Sequence, residues 1–158
     1  MMFTTRKATI EDYRDLLEVY TEVDELHRTH HPELFRKPDD GARAWSYIEE
    51  NLSNDSKALF VAETEGRIIG FAECYIQKSS TFPVIREREW VQLDNIAVLE
   101  EYQHLKAGSL LLEEVIGWAR NKGIERVELK VYEFNASARD FYVSRGFRNL
   151  IQSMYLDL

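Results

Sequence analysis

Asn135, Ala138 and Tyr142 are separated by steps of three and four, so on a helix they share one face. A small residue between an amide and a phenol leaves room for something narrow beside them. Phe141 can anchor the opposite side in a core. The same spacing also suits an N-cap asparagine followed by a tyrosine at the core edge. A second stretch with chemical promise is Gln103-His104-Leu105-Lys106-Ala107-Gly108-Ser109. It joins an apolar run ending at Val98 to a helical pattern. A helix start presents unpaired N–H groups and a partial positive charge, a natural seat for phosphate. Gly108 permits close backbone approach, and Lys106 adds a point charge. A glycine in such a loop is also simply a turn residue.

The elements that must position these residues follow from hydrophobic periodicity. Phe3 to Ala8 reads as a strand, with Thr9 capping a helix that carries Tyr13, Leu16, Leu17, Tyr20 and Val23 on one side. Pro32 ends it. Asp39 or Asp40 is expected to cap a second helix reaching Leu52. Ala58 to Ala62 and Arg67 to Ile76 read as a hairpin around Glu65-Gly66, and Trp90 to Val98 as a third long strand. A helix over Ala107 to Lys122 is stopped by Gly123. Glu125 to Tyr132 alternates as a strand, Asn135 to Arg145 is a short helix stopped by Gly146, and Phe147 to Leu158 reads as a final strand. The order β-α-α-β-β-β-α-β-α-β gives a mixed α/β fold with a parallel crossover near its end, in one domain over residues 1–158.

Composition narrows the function. The chain is 44% apolar, with 20 basic against 28 acidic residues and a net charge of −8. That sign argues against a nucleic-acid partner. Residues 11–55 hold 13 acids and five bases, a surplus equal to the whole net charge. The field of this segment suits a cation, and it equally suits two solvated amphipathic helices. One cysteine, Cys74, excludes a disulfide framework or a Cys-rich zinc module. No apolar run approaches the ~20 residues that span a bilayer, and no apolar signal core opens the chain, so a cytoplasmic location without membrane contact is expected. His27, His30 and His31 have a spacing that could converge on a metal. Pro32 follows at once and no carboxylate completes a set, so the stretch reads as a helix end and no metal is expected.

Taken together, these stretches resemble the GNAT superfamily of acyl-CoA-dependent N-acetyltransferases, over nearly the whole chain. Arg6 to Asp12 is similar to the first strand and helix start of that superfamily. Phe60-Val61-Ala62-Glu63 with Ile69-Gly70-Phe71 is similar to its central hairpin, and Asp94 to Val98 to its fourth strand. Gln103-x-x-x-x-Gly108 resembles its phosphate loop, and Asn135-x-x-Ala138-x-x-Phe141-Tyr142-x-x-x-Gly146-Phe147 its later helix motif. The chain departs from the pattern at Glu100, where proline is frequent, and at Lys106, where glycine is.

The resemblance implies transfer of an acetyl group from acetyl-CoA, as co-substrate, to a primary amine by direct attack in a ternary complex. By that analogy, backbone N–H groups of Gln103, His104, Leu105, Lys106, Ala107, Gly108 and Ser109 cradle the pyrophosphate. Strand groups of Ile96, Ala97 and Val98 pair with the pantetheine, and a backbone N–H of Ala97 or Val98 polarises the thioester carbonyl. Asn135, with Ala138 and Tyr142, flanks the pantetheine from the other side. Tyr142 is the expected acid toward the departing thiolate. Asp94, sharing a face with Gln92 and Ile96, is the expected base, with Glu89, Glu100 and Glu25 in reserve. Tyr20, Tyr75, Phe82 and Trp90 line the amine site or the core. The acceptor is a small molecule or a peptide, cationic because acids cluster at 22–25, and a homodimer is expected by analogy with small members of the fold. The alternative is a non-catalytic acyl-CoA-sensing or degenerate module of the same fold.

Overall fold

Local chemistry sets the ends of the elements in the computed structural model, which describes all 158 residues. β1 spans Thr4–Lys7. Its Arg6 forks onto Asp12 at 2.8 and 2.9 Å and reaches Glu63 at 2.9 Å. Asp12 also accepts the Thr9 N–H at 2.8 Å, which satisfies a donor at the helical turn Ile10–Asp12. α1 follows over Tyr13–His30. Asp39 and Asp40, expected to cap the next helix, lie instead in a turn. Gly41 at φ +88° breaks the chain there, so α2 covers only Trp45–Ser53.

β2 (Lys57–Thr64) and β3 (Arg67–Lys78) form the expected hairpin, closed by Glu65 and Gly66 at φ 50° and 79°. β4 spans Glu89–Val98, and a helical turn at Glu100–Tyr102 leads toward α3 (Ala107–Asn121). Gly123, at φ +72°, takes the left-handed stop expected of it. The chain ends with β5 (Val127–Leu129), α4 (Ala136–Ser144) and an extended tail. The strand order is β1-β2-β3-β4-β5, antiparallel throughout except for the β4–β5 pair, which is parallel.

Two expectations fail at this end. β5 keeps only three of the residues read as strand over 125–132. Phe147 to Leu158 forms no strand in its own sheet, so the observed order stops at α4. The 125–132 segment alternates and the tail is rich in large apolar residues, but outside Val127–Leu129 no neighbouring strand of the same chain pairs with their backbones.

Each face of the sheet is covered. Phe60, Ala72, Val91 and Leu93 pack on α3 through Leu111, Leu112 and Val115. On the other face Leu59, Val61, Ile68 and Phe71 pack on α1 and α2 through Leu16, Val19, Tyr20 and Ile48. Burying each such aliphatic side chain contributes about 1.5–3 kcal/mol. Cys74 belongs to the α3 side, and burial pushes its thiol up to about 12, so it is core and not a nucleophile at neutral pH. No helix is long and apolar enough to cross a membrane.

Candidate active site

A gap opens in the sheet where β4 and β5 part. They pair at Val91 with Val127, Gln92 with Glu128 and Leu93 with Leu129, and no further. Beyond Leu93, β4 is paired only with β3. The Leu99 N–H is given to the Ile69 carbonyl at 2.9 Å, on the β3 side. Alternation along the strand then turns the backbone groups of Ala97 toward β3 and those of Ile96 and Val98 toward the gap. Of the two expected carbonyl-polarising donors, Val98 faces the gap and Ala97 does not.

A bulge re-aims the strand beside the gap. Glu73 pairs with Asn95 and Cys74 with Leu93, which leaves Asp94 as the extra residue. Asp94 and Gln92 line one cavity of about 280 Å3 with Tyr75 and Trp90. Ile96 packs on the α3 cluster instead. The expected shared face of Gln92, Asp94 and Ile96 is therefore corrected: the inserted residue flips the alternation.

The turn between β4 and α3 leaves a run of backbone donors free, an arrangement that can seat an anion. The Gln103 N–H is used on the Glu100 carbonyl at 3.2 Å, and its side chain donates to the Val98 carbonyl at 3.0 Å. The next six N–H groups, from His104 to Ser109, have no acceptor in the chain, and the helical ladder starts only with Leu110 on Lys106 at 3.1 Å. His104 and Lys106 are both left-handed, at φ 63° and 77°. Alternating left-handed residues turn successive N–H groups into a concave nest, and the dipole of α3 adds to it. Gly108 lies in ordinary helical backbone, where a Cβ would only touch Phe141 at 3.8 Å. Its contribution is a bare surface, not an unusual dihedral.

α4 stands against this turn. Asn135 caps α4 by accepting the Ala138 N–H at 3.1 Å through its side-chain oxygen. The N-cap reading is thus the one observed, and the amide nitrogen is left over for another acceptor. The Tyr132–Phe134 turn before it is clamped by the end of α1: His30 stacks on Phe134 at 4.0 Å, and His27 and His31 lie 5.5 and 5.3 Å from Tyr132. Those histidines thereby position the turn that carries Asn135. Tyr142 packs between Phe141 and Phe147 at 5.3 and 5.5 Å. Burial pushes its phenol up to about 12.

The face of the sheet covered by α1 and α2 holds one network that the sequence did not disclose. Glu73 is buried, accepts the Tyr20 hydroxyl at 2.5 Å and also accepts that of Tyr47. Arg43 lies 4.4 Å over the Tyr20 ring and forks onto Asp24 at 2.7 and 3.1 Å. Burial raises the Glu73 carboxyl, and Asp94 raises it further against the pull of the two tyrosines. The acids at 22–25 are engaged: Glu22 takes the Glu100 N–H at 2.6 Å, Asp24 holds Arg43, and Glu25 pairs with Arg28 at 3.4 Å. Among the reserve bases, Glu89 is on Lys78 at 3.1 Å. Tyr75 and Trp90 line the cavity, Tyr20 is core, and Phe82 is an exposed loop residue.

Against this geometry stand the comparisons with known proteins. The family model described as Acetyltransferase (GNAT) family matches residues 16–147. The chain belongs to the GNAT acetyltransferase family. An uncharacterized N-acetyltransferase of Methanocaldococcus jannaschii is 28% identical over 147 residues, 92% of this chain and 60% of that relative's length. A crystal structure of a mutant of the BH1408 protein from Bacillus halodurans, 26% identical, superposes with a TM-score of 0.92 over 98% of this chain and 99% of that one. The aminoglycoside N-acetyltransferase AAC(6')-Iy in complex with CoA, 20% identical, has a TM-score of 0.79 over 99% of this chain and 95% of that one.

Within the GNAT frame, Lys106 is the informative departure. It adopts the left-handed conformation itself, at a cost of about 1–2 kcal/mol for an L residue. Lys106→Gly is expected to stabilise the fold by about 1 kcal/mol in denaturant unfolding, yet weaken CoA roughly tenfold in calorimetry by removing a cation beside the nest. Tighter CoA binding in this variant would show that the lysine obstructs the site. Arg145 is a second cation that sequence reading missed. It donates to the Ser109 hydroxyl and so ties the end of α4 to the anion turn. Glu73, Tyr47 and Arg43 were missed because their grouping brings together β3, α2 and the loop before α2.

Proposed function

We propose that this GNAT member transfers the acetyl group of acetyl-CoA to a primary amine, by direct attack in a ternary complex. The observation that carries the reading is the run of six acceptorless N–H groups at His104–Ser109, beside a strand gap; Tyr142 packs on the same α3-side cluster as Ile96 and Val98. A diphosphate fits that nest, with Lys106 and Arg145 as added cations. The Ile96 and Val98 backbone would pair with the pantetheine amides, and the spare Asn135 amide nitrogen would donate to them. That the related fold of AAC(6')-Iy is seen with CoA supports the same seat here.

The acceptor enters as a cation, because an alkyl amine titrates near ~10.4. Asp94, exposed on the bulge, takes the ammonium proton directly or through water. The free amine attacks the thioester carbonyl, whose oxygen receives the Val98 N–H. As the carbon–sulfur bond breaks, the second amine proton passes to sulfur through the Tyr142 hydroxyl. A phenol near 12 stays neutral throughout, so Tyr142 holds a hydrogen bond to the thiolate and relays the proton. The products are an amide and free CoA thiol.

An amine panel with thiol release as readout tests this. Turnover is expected on at least one primary amine, and CoA binding without turnover on any of them would favour a sensor. With that substrate, Asp94→Asn is expected to make kcat/KM rise about tenfold per pH unit toward the amine's own pKa, because only pre-deprotonated amine then reacts. A pH profile identical to wild type would remove Asp94 from the base role.

A further inference from the structure

The cavity beside the strand gap carries charge of both signs, one on each wall. Leu93 and Leu129 are the last residues that β4 and β5 pair. Asp94 follows on one side of the opening and Lys130 on the other, and both line the cavity of about 280 Å3. Both are exposed. They share this space without forming an ion pair with each other, and neither has a salt-bridge partner elsewhere in the chain. A carboxylate and an ammonium held apart across a cavity suit a guest that carries the complementary pair.

The wall on the β5 side is more positive than Lys130 alone makes it. Its one acid, Glu128, is held by Arg88 at 2.5 Å and by Arg126 at 2.8 Å. Three cations therefore stand against one anion, and a guest with positive charge at both ends would be repelled there. Gln92 adds to the demand for an anion. The Trp90 indole N–H is donated to the Gln92 side-chain oxygen at 3.1 Å, which leaves the Gln92 amide nitrogen free to donate. The volume lies at the small end of small-molecule sites, which run from about 300 to 1,000 Å3, so the guest is small. Tyr75 and Trp90 add aromatic surface on which an apolar side chain can rest.

We propose that the acceptor is a small free amino acid: its ammonium meets Asp94, and its carboxylate is received by Lys130 and the Gln92 amide. This inference rests on the acetyl transfer proposed above and adds the class of amine. The amine nitrogen forms the new bond to the acetyl carbon as the bond from that carbon to sulfur breaks. One ammonium proton goes to Asp94, one goes to sulfur and one stays on nitrogen. The products are an N-acetyl amino acid and CoA thiol. Lys130 and Gln92 touch only the carboxylate, so they set specificity and take no part in the proton transfers. A polycation, which the acid-rich segment 11–55 suggested, lacks the group that this wall receives.

Thiol release on matched pairs tests this: the common amino acids, each against its own carboxamide, with diamines alongside and the full chain saturated in acetyl-CoA. The carboxamide keeps the amine and the side chain and loses only the negative charge. At least one amino acid is expected to exceed its carboxamide by about tenfold or more in kcat/KM, the usual effect of a hydrogen bond between charged groups. Lys130 is exposed, so its replacement spares the fold. Lys130→Gln is expected to raise the KM of that amino acid about tenfold with kcat nearly kept, to erase the preference, and to leave CoA affinity within about threefold. Turnover that favours carboxamides or diamines throughout would overturn the amino acid and leave acetyl transfer standing. So would a preference that Lys130→Gln leaves intact. CoA binding with no thiol release from any amine would overturn acetyl transfer itself, and this inference with it.

Discussion

Gly108→Glu is expected to weaken CoA binding by at least 100-fold while leaving the fold as stable as before, or slightly more so. The two effects have opposite signs for one reason. Gly108 is at the second position of α3 in ordinary helical backbone, and a Cβ there meets only Phe141 at 3.8 Å. A carboxylate in the first turn is welcomed by the helix dipole, typically by 0.3–1 kcal/mol. The same carboxylate would stand in the nest formed by His104–Ser109. Two like charges about 4 Å apart near a protein surface repel by about 4 kcal/mol, roughly a thousandfold in affinity. Calorimetry reads the loss and denaturant unfolding reads the retained stability. A variant that binds CoA like wild type would mean that the diphosphate is seated elsewhere.

The second large effect concerns Tyr142. Tyr142→Phe is expected to lower kcat by about 100- to 1000-fold, the usual contribution of a positioned proton-transfer group. Acetyl-CoA affinity should change by less than about threefold, because the ring keeps its place between Phe141 and Phe147. With the phenol held near 12, no basic limb below that pH should come from Tyr142 in the wild-type enzyme. Undiminished kcat in the phenylalanine variant would remove the hydroxyl from the mechanism.

Much of this site was legible because its parts are local in sequence. The anion turn and the Asn135 helix each occupy a short run whose spacing already implies a shared face. The β3 hairpin and the Gly123 stop were equally local. What escaped reading was what depends on distant partners. The Glu73 network joins Tyr20, Arg43, Tyr47 and Glu73 across 53 residues, and nothing in the pattern of β3 separates a buried glutamate from a solvated one. The bulge at Asp94 left no mark of its own, yet it decides which face Ile96 occupies. Lys106 reads as a departure from glycine, and only the backbone reveals that lysine accepts the left-handed turn. The tail shows the converse failure: residues 147–158 read as a strand, but no strand of the chain pairs with them.

The acids at 22–25 carry a similar lesson about charge. Their surplus suggested a cation site, but Glu22, Asp24 and Glu25 are committed to a backbone N–H and two arginines. Asp94, on the bulge beside the gap, is exposed and lines the cavity with Tyr75 and Trp90, and it is the carboxylate proposed to meet the ammonium.

A titration of the 15N-labelled chain with CoA, followed residue by residue, tests the central claim most directly. The account predicts that the amides of His104 to Ser109 and of Ile96 and Val98 move together and saturate at one affinity. Saturable binding that leaves those amides still, and shifts a different surface, would contradict it.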